Sequence, residues 1–116
     1  MTGNRSATSD IDEITNLLIK FRDQRNWAQF HNSKDLALAL SIEAAELNEL
    51  FLWKDARDVD EEKLRDELAD VFAFAFLLAR KHKLDVKKIV RAKIRRNAVK
   101  YPVRKSRNSA KKYTEL

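Results

Sequence analysis

The chain contains no cysteine, and only one glycine and one proline among its 116 residues. The lack of cysteine excludes disulfides, thiolate metal sites and a cysteine nucleophile. Gly3 and Pro102 are too few to supply the tight turns that a sheet normally needs. Alanine, leucine, glutamate, lysine and arginine dominate instead, which is the composition of a helical protein. We therefore predict an all-α domain.

Long hydrophobic runs are also missing. The longest, Val71 to Ala79, is far shorter than the ~20 residues that span a bilayer, and the N-terminus lacks the apolar stretch of a signal peptide. We expect a soluble protein without membrane association, and the absence of cysteine fits the cytoplasm. The length is that of one domain. We predict a disordered tail over residues 1–8, one domain over residues 9–102 and a mobile basic tail over residues 103–116.

The net charge of +6 is unevenly distributed. The segment from Arg91 to Lys112 is rich in lysine and arginine and contains no acid, whereas the acids concentrate in the middle of the chain. Such an arrangement could bind nucleic acid, or it could handle a small phosphorylated substrate together with a metal ion.

Two pairs of acids stand out in the middle of the chain: Glu43 with Glu46, and Glu67 with Asp70. Each pair is three residues apart on a predicted helix, so its carboxylates share one face. Apolar residues border both pairs, and only Glu67 has a basic residue, Lys63, one turn away. Clustered acids repel one another and resist desolvation, and a divalent ion between the helices would relieve both costs. Because all the ligands are oxygens, we predict Mg²⁺; surface acids paired by chance are the alternative.

Helical periodicity and capping residues predict four helices. The run from Val71 to Ala79 in the third helix is apolar on every side, so we expect a second subunit to cover it. In the fourth helix, Val86, Ile89, Val90 and Ile94 form the predicted buried side. The predicted bounds are Asp10 to Gln24 after the cap Ser9, Asn32 or Ser33 to about Lys54, Asp60 to Arg80–Lys83, and Asp85 to the stop at Pro102.

Aromatic residues on either side of the first acid pair could surround a base. Trp27 and His31 lie where the first helix ends. Trp53 follows Glu46 by seven residues, which on a continuous helix places it roughly 10 Å along nearly the same side, at ~1.5 Å per residue. Core packing of the tryptophans, and a surface or capping position for His31, are the alternatives.

A polar strip recurs on the fourth helix. Lys93, Asn97 and Tyr101 are four residues apart, so they form one line. A cation, an amide and a phenol in one line could hold phosphate oxygens and a sugar hydroxyl. A lysine whose stem lies along the surface, with two surface polar residues, is the alternative.

Together these residues resemble the MazG-like all-α nucleotide pyrophosphohydrolases, and among them the dCTP pyrophosphatase-like members. The resemblance is carried by the two acid pairs and by the segments RNWAQFHNSKDLALALSIEAAELNELFLWK, DELADV, KIRRNAVKYP and KKYTEL, so it covers nearly the whole chain. It implies a four-helix-bundle-like fold. It also implies hydrolysis of nucleoside triphosphates, dCTP or modified pyrimidine deoxynucleotides, to monophosphate and pyrophosphate, which is a house-cleaning activity on the nucleotide pool.

The resemblance also implies how the site is composed. It implies a tetramer of two tight dimers with sites shared between subunits. The loop between the second and third helices is shorter than in vertebrate relatives, which puts the base preference in doubt. Either Glu46 or Glu49 could accept a proton from the attacking water. The implied ligands of Mg²⁺ are Glu43, Glu46, Glu67 and Asp70, the residues near the base are Trp27, His31 and Trp53, and those near the phosphates and sugar are Lys93, Asn97 and Tyr101.

Two other functions remain open. A nucleic-acid-binding helical module would explain the basic C-terminal third. It would not explain the acids, which would repel a phosphate backbone, so nucleic acid is the less favoured partner. The other possibility is a helical oligomer that binds no ligand.

Overall fold

The computed structural model describes residues 9–116, which form helices and turns and contain no strand. The all-α prediction is confirmed. The predicted disorder of residues 1–8 lies outside the described residues. The α-helices are α1 (Asp10–Gln24), α2 (Ser33–Glu49), α3 (Glu61–Lys81), α4 (Val86–Lys100) and the one-turn α5 (Val103–Ser106), and 3-10 turns occur at Trp27–Phe30, Ala56–Asp58 and Tyr113–Glu115.

The predicted cap residues begin each of the four long helices. In every case a side-chain oxygen accepts a hydrogen bond from a backbone N–H of the first turn, where no intrahelical acceptor is available. These bonds explain why the helix starts could be read from the sequence. They are Asp12 N to Ser9 Oγ at 3.1 Å, Asp35 N to Asn32 Oδ1 at 2.8 Å, Glu62 N to Asp60 Oδ1 at 3.0 Å, and Lys88 N to Asp85 Oδ1 at 3.0 Å.

The end of α2 differs from the prediction. The helix stops at Glu49 instead of continuing to about Lys54, and turns follow it. Trp53 has a φ of 62°, in the left-handed region that a right-handed helix cannot contain. The prediction that Trp53 lies two turns along the face of Glu46 is therefore wrong, because that face ends before it. The Trp53 side chain is 94% exposed.

Helices α2 and α3 pack against each other, and α1 packs on α3. At the start of α2, Ser33 Oγ lies 2.8 Å from Nε2 of His82, which caps the end of α3, so the two helices are antiparallel. Between α1 and α3, Arg80 Nη1 donates to Asn16 Oδ1 at 3.0 Å. Leu36 of α2 and Leu77 of α3 are buried in this part of the protein.

The chain divides into two compact units, one ending at Leu84 and containing α1 to α3, the other spanning Asp85–Leu116. In the second unit Tyr101 meets Tyr113 edge to face, with ring centroids 5.9 Å apart. Lys100 Nζ lies 4.9 Å from the centroid of the same Tyr113 ring. The end of α4 therefore contacts the basic C-terminal segment, whose mobility stays a prediction, as does the domain boundary at residue 102.

Several apolar side chains are exposed in a single chain. Ile89, Val90 and Ile94 of α4 are 42%, 49% and 60% exposed, so the predicted buried side of this helix is wrong for one chain. In α3, Leu77 is buried but Phe72 is 50% exposed. Helical periodicity identifies an apolar face, but it does not show what covers that face. Coverage by a second subunit stays a prediction. Among the described helices, none combines the length and hydrophobicity needed to cross a bilayer.

Replacement of the cap Asp60 should destabilise α3. Asp60 Oδ1 accepts from both Glu62 N and Lys63 N, so Asp60→Ala should lower the free energy of unfolding by about 1 kcal/mol. Urea denaturation followed by circular dichroism measures the change. Asp58→Ala is the control, because the Asp58 side chain makes no such bond in the described structure. Equal losses in both variants would contradict the assigned cap.

Candidate metal and nucleotide site

The antiparallel packing of α2 and α3 brings three of the predicted acids together. Glu43 and Glu46 come from α2, and Glu67 comes from α3. One carboxylate oxygen from each residue lies within 4.8 Å of those from the other two. We call these three residues the acid triad. Neither helix alone could form it, because each supplies only one side.

Asp70, the fourth predicted ligand, lies one turn after Glu67 on α3. It is outside the acid triad, yet its charge raises the pKa of both Glu43 and Glu67. Asp70 also lines a cavity. Glu49, a candidate proton acceptor, is the last residue of α2, is exposed, and is not part of the triad.

Two oxygens of the triad are buried without a partner. Glu43 Oε2 and Glu67 Oε2 are closed to solvent and accept no hydrogen bond from the described residues, although both residues are only partly buried as a whole. Desolvation, followed by the neighbouring carboxyls of Glu46 and Glu67 and by the charge of Asp70, raises the pKa of Glu43 to about 7. Desolvation also raises the pKa of Glu67, and the charges of Glu46 and Asp70 act in the same direction.

These properties fit a divalent cation. Carboxylates that resist ionisation because they are desolvated and crowded become stable anions when a cation neutralises them. The orphaned oxygens would gain a ligand, and a hard ion prefers oxygen donors. The acid triad therefore has the donor set and the unmet charge of a metal site.

A cavity of about 230 Å³ adjoins Asp70. Its walls are mostly aromatic and aliphatic. The rings of Phe21 and Trp27 meet edge to face at 5.9 Å between centroids, and those of His31 and Phe74 at 6.4 Å. We call it the aromatic cavity; its lining includes Phe21, Arg22, Trp27, His31, Asp70 and Phe74.

The end of α1 explains how the aromatic cavity forms. Asn26 has a φ of 53°, a left-handed conformation that asparagine tolerates better than most residues. This residue turns the chain so that the 3-10 turn Trp27–Phe30 packs back on α1. Arg25 supports the turn, because its guanidinium carbon lies 3.6 Å from the Phe21 ring centroid and its Nη1 donates to Phe21 O at 3.0 Å.

His31 presents an unused polar atom in this region. Its Nδ1 is buried and has no hydrogen-bond partner among the described residues. Burial, then the positive charges of Arg22 and Lys81, lower the pKa of His31. The imidazole is therefore neutral near pH 7, and it can donate from one nitrogen and accept at the other.

The structure places the remaining predicted residues elsewhere in the fold. Trp53 does not line the aromatic cavity. Lys93 and Asn97 lie on α4 in the second unit, and Tyr101 N donates to Asn97 O at 2.7 Å. Their proposed contacts with phosphates and sugar stay predictions.

Sequence reasoning identified Trp27, His31 and Asp70 but not the other residues of the cavity lining, among them Phe74 and Arg22. Phe74 follows Asp70 by one helical turn, so spacing could have indicated it. Arg22 gave no comparable signal, because its place in the lining depends on the packing of α1 on α3 and on the return of Trp27 toward α1.

The chain is an all-α protein with opposed carboxylates on two packed helices and an aromatic cavity, an arrangement that could hold a cation and a small ligand. The family model described as MazG-like matches residues 38–116. The chain belongs to the MazG-like family, which confirms the resemblance inferred from the sequence.

Individual relatives agree with this assignment. The chain is similar to dCTP pyrophosphatase 1 of Bos taurus, with 36% identity over 125 residues, covering 99% of this chain and 74% of the relative. Similarity to dCTP pyrophosphatase 1 of Homo sapiens is 35% over 119 residues, covering 96% and 70%. Among solved structures, a pyrophosphatase from Archaeoglobus fulgidus superposes with a TM-score of 0.76 at 30% identity, covering 84% of this chain and 97% of that one. This likeness extends to the overall fold.

The raised pKa of Glu43 predicts a pH-dependent stability for the metal-free protein. The folded state holds a proton on Glu43 up to about pH 7, whereas the ordinary pKa is 4.5. This contribution to stability is therefore complete below pH 4.5 and is lost as the pH rises through about 7. Relative to wild type, Glu43→Gln should become progressively more stable over that range.

Thermal melts in chelator from pH 4 to 8 measure this difference. Glu49→Gln is the matched control, because it makes the same substitution on the same helix outside the acid triad. Added Mg²⁺ should raise the melting temperature of wild type more at pH 8 than at pH 5, since binding displaces the proton. A difference between Glu43→Gln and wild type that does not vary with pH would contradict the assignment.

Proposed function

We propose that this chain is a Mg²⁺-dependent hydrolase that converts deoxynucleoside triphosphates to monophosphate and pyrophosphate. The observation that most directly supports this function is the acid triad with its two buried, unpartnered oxygens. Membership of the MazG-like family and similarity to dCTP pyrophosphatases support dCTP or a modified pyrimidine deoxynucleotide as substrate. The role would be removal of unwanted nucleotides from the cytoplasmic pool.

Glu43, Glu46 and Glu67 would hold Mg²⁺, with Asp70 as the fourth carboxylate. When bound, Mg²⁺ offsets triphosphate charge, orients the α phosphate and lowers the pKa of a water molecule. The chain's own residues must then accept the proton of that water. Glu46 is the exposed member of the triad and could do so; Glu49, one turn later on α2, is the alternative. No covalent intermediate is required.

The aromatic cavity would hold the base. Trp27 can stack on a flat ring, and the buried Nδ1 of His31 is free to bond to its edge. Asp70 lines the cavity and lies one turn after Glu67 of the acid triad, so a base in the cavity would lie on the side of the triad where the phosphates would bind. Trp53 is proposed to contact the base from the loop after α2. Lys93, Asn97 and Tyr101 are proposed to contact phosphates and sugar.

We further propose a tetramer of two dimers with sites shared between subunits. The exposed apolar side chains of Ile14, Leu17 and Phe72 support this assembly. Ile14 and Phe72 line one apolar groove of about 410 Å³ between α1 and α3. A second copy of the chain would remove this apolar surface from water.

Incubation with dCTP and Mg²⁺ should release dCMP and pyrophosphate in equal amounts, and chelation should stop the reaction. Glu46→Gln should lower kcat by at least roughly a hundredfold, because it removes both a metal ligand and a candidate proton acceptor, without changing helicity. Product chromatography with a coupled pyrophosphate assay measures this. Glu13→Gln, an exposed acid on α1, is the control. Release of inorganic phosphate and dCDP would contradict the proposed bond cleavage.

One observation favours a second candidate function, the binding of single-stranded nucleic acid. Lys87, Arg91 and Arg95 recur every four residues on α4, and with Lys88 they line a groove of about 630 Å³. None of these cations takes part in the ion pairs found in residues 9–116. Asp85, the acid of this groove, is engaged as the helix cap. A row of cations can follow a phosphate backbone.

Fluorescence anisotropy with a labelled single-stranded oligonucleotide tests the second function. Binding should weaken steeply with salt, and the triple variant Lys87→Glu, Arg91→Glu, Arg95→Glu should abolish it while leaving the helical content unchanged. Substitution of the acid triad should have no such effect. If no complex forms at low salt, the groove does not bind nucleic acid.

A further inference from the structure

Arg22 has an unusual position for an arginine. It lies in the last turn of α1, its side chain is 23% exposed, and it lines the aromatic cavity together with Trp27 and His31. An arginine against aromatic and aliphatic walls needs a partner for its charge, and here that partner is Asp23, which is not part of the lining. Asp70, the other charged residue of the lining, forms no ion pair with it in the described structure.

The hydrogen bonds of Arg22 leave one amino group free. Nε donates to Asp23 Oδ1 at 2.9 Å, and Nη2 lies 2.8 Å from the same oxygen in an ion pair. The guanidinium carries five N–H donors, and Nη1 has no acceptor among the described residues. The exposed pair with Asp23, whose side chain is 55% exposed, contributes little to stability. It therefore does not explain why Arg22 lines the cavity.

The free donors restrict the ligand that the cavity can take. A guanidinium donates and never accepts, so it matches neighbouring acceptors and disfavours a ring N–H. Cytosine presents two neighbouring acceptors, O2 and N3. Thymine and uracil present O2 beside an N3–H donor, which would face the Arg22 donors and leave them unpaired. At about 230 Å³ the cavity suits a single ring better than a purine.

We infer that Arg22 is a specificity-determining residue whose free Nη1 donates to the O2 and N3 edge of cytosine, favouring cytosine nucleotides over thymine and uracil nucleotides. The inference rests on the proposed nucleotide hydrolysis and assigns the base preference of that site. Neutral His31, beside Arg22, does not add a second charge to the cavity. Arg22 therefore supplies the positive charge next to the base edge.

Steady-state kinetics with dCTP and dTTP test this role in wild type, Arg22→Ala, Arg22→Gln and Arg22→Lys. A hydrogen bond from a charged donor contributes roughly 1.5–3 kcal/mol, which corresponds to about ten- to hundredfold. Arg22→Ala should lower kcat/KM for dCTP by that factor, mainly through KM, and should leave dTTP within about threefold. Arg22→Lys should restore part of the preference, because it keeps a donor but loses the planar fork.

Control measurements separate a base contact from other roles. Lys20→Ala, an exposed cation of α1 outside the cavity, should change neither substrate. Circular dichroism shows whether each variant folds, and Arg22→Gln keeps a neutral side chain of similar length if the alanine variant does not. NMR titration should show the pKa of His31 rising in Arg22→Gln, since the positive charge that lowers it is gone.

Equal losses for dCTP and dTTP would overturn the inference, because they would place Arg22 at the phosphates. An unchanged ratio of the two substrates would also overturn it. Calorimetric binding of dCMP and dTMP provides a test that does not depend on turnover. If wild type releases no pyrophosphate from either triphosphate, the proposed hydrolysis fails, whereas a dCMP preference that Arg22→Ala abolishes would still support the role of Arg22.

Discussion

The repulsion and desolvation of the carboxylates between α2 and α3 is the constraint on which the site depends. Packing these helices antiparallel requires Glu43 and Glu67 to lose solvent while facing each other and Glu46. The raised pKa of Glu43 reflects that cost. Caps, buried leucines and the Ser33–His82 contact hold the hairpin together despite it. A cation that binds the folded state alone would convert this cost into metal affinity.

The aromatic cavity lies on one side of the acids, where Asp70 lines it. Asp70 extends the line of acids on α3 toward Trp27 and His31, so charged and flat surfaces meet at one residue. A ligand that has negative charge at one end and a planar ring at the other matches this arrangement. The family membership and the geometry of the first unit thus point to the same class of ligand, and Arg22 adds a polar group that reads the ring edge.

Much of the fold followed from local rules. The predicted caps Ser9, Asp60 and Asp85 are confirmed, and of the two alternatives for the second helix, Asn32 and Ser33, the structure shows Asn32. The end of α2 could not be predicted from the sequence, because Leu50 to Trp53 include no glycine or proline that would mark a helix end. The left-handed conformation of Trp53 belongs to the loop. The sequence pattern showed the apolar faces of α3 and α4. It did not show that these faces are exposed in one chain, since periodicity does not identify what covers a face.

By itself the sequence determined that the chain is helical, where the long helices begin, and that two acid pairs lie on two helix faces. These features depend on contacts within one or two turns, which spacing reveals. Only the tertiary structure decided that Glu43, Glu46 and Glu67 converge within 4.8 Å, and that Asp70 and Arg22 line one aromatic cavity. Those facts depend on how α3 packs against α2 and α1, which brings residues distant in the sequence into contact.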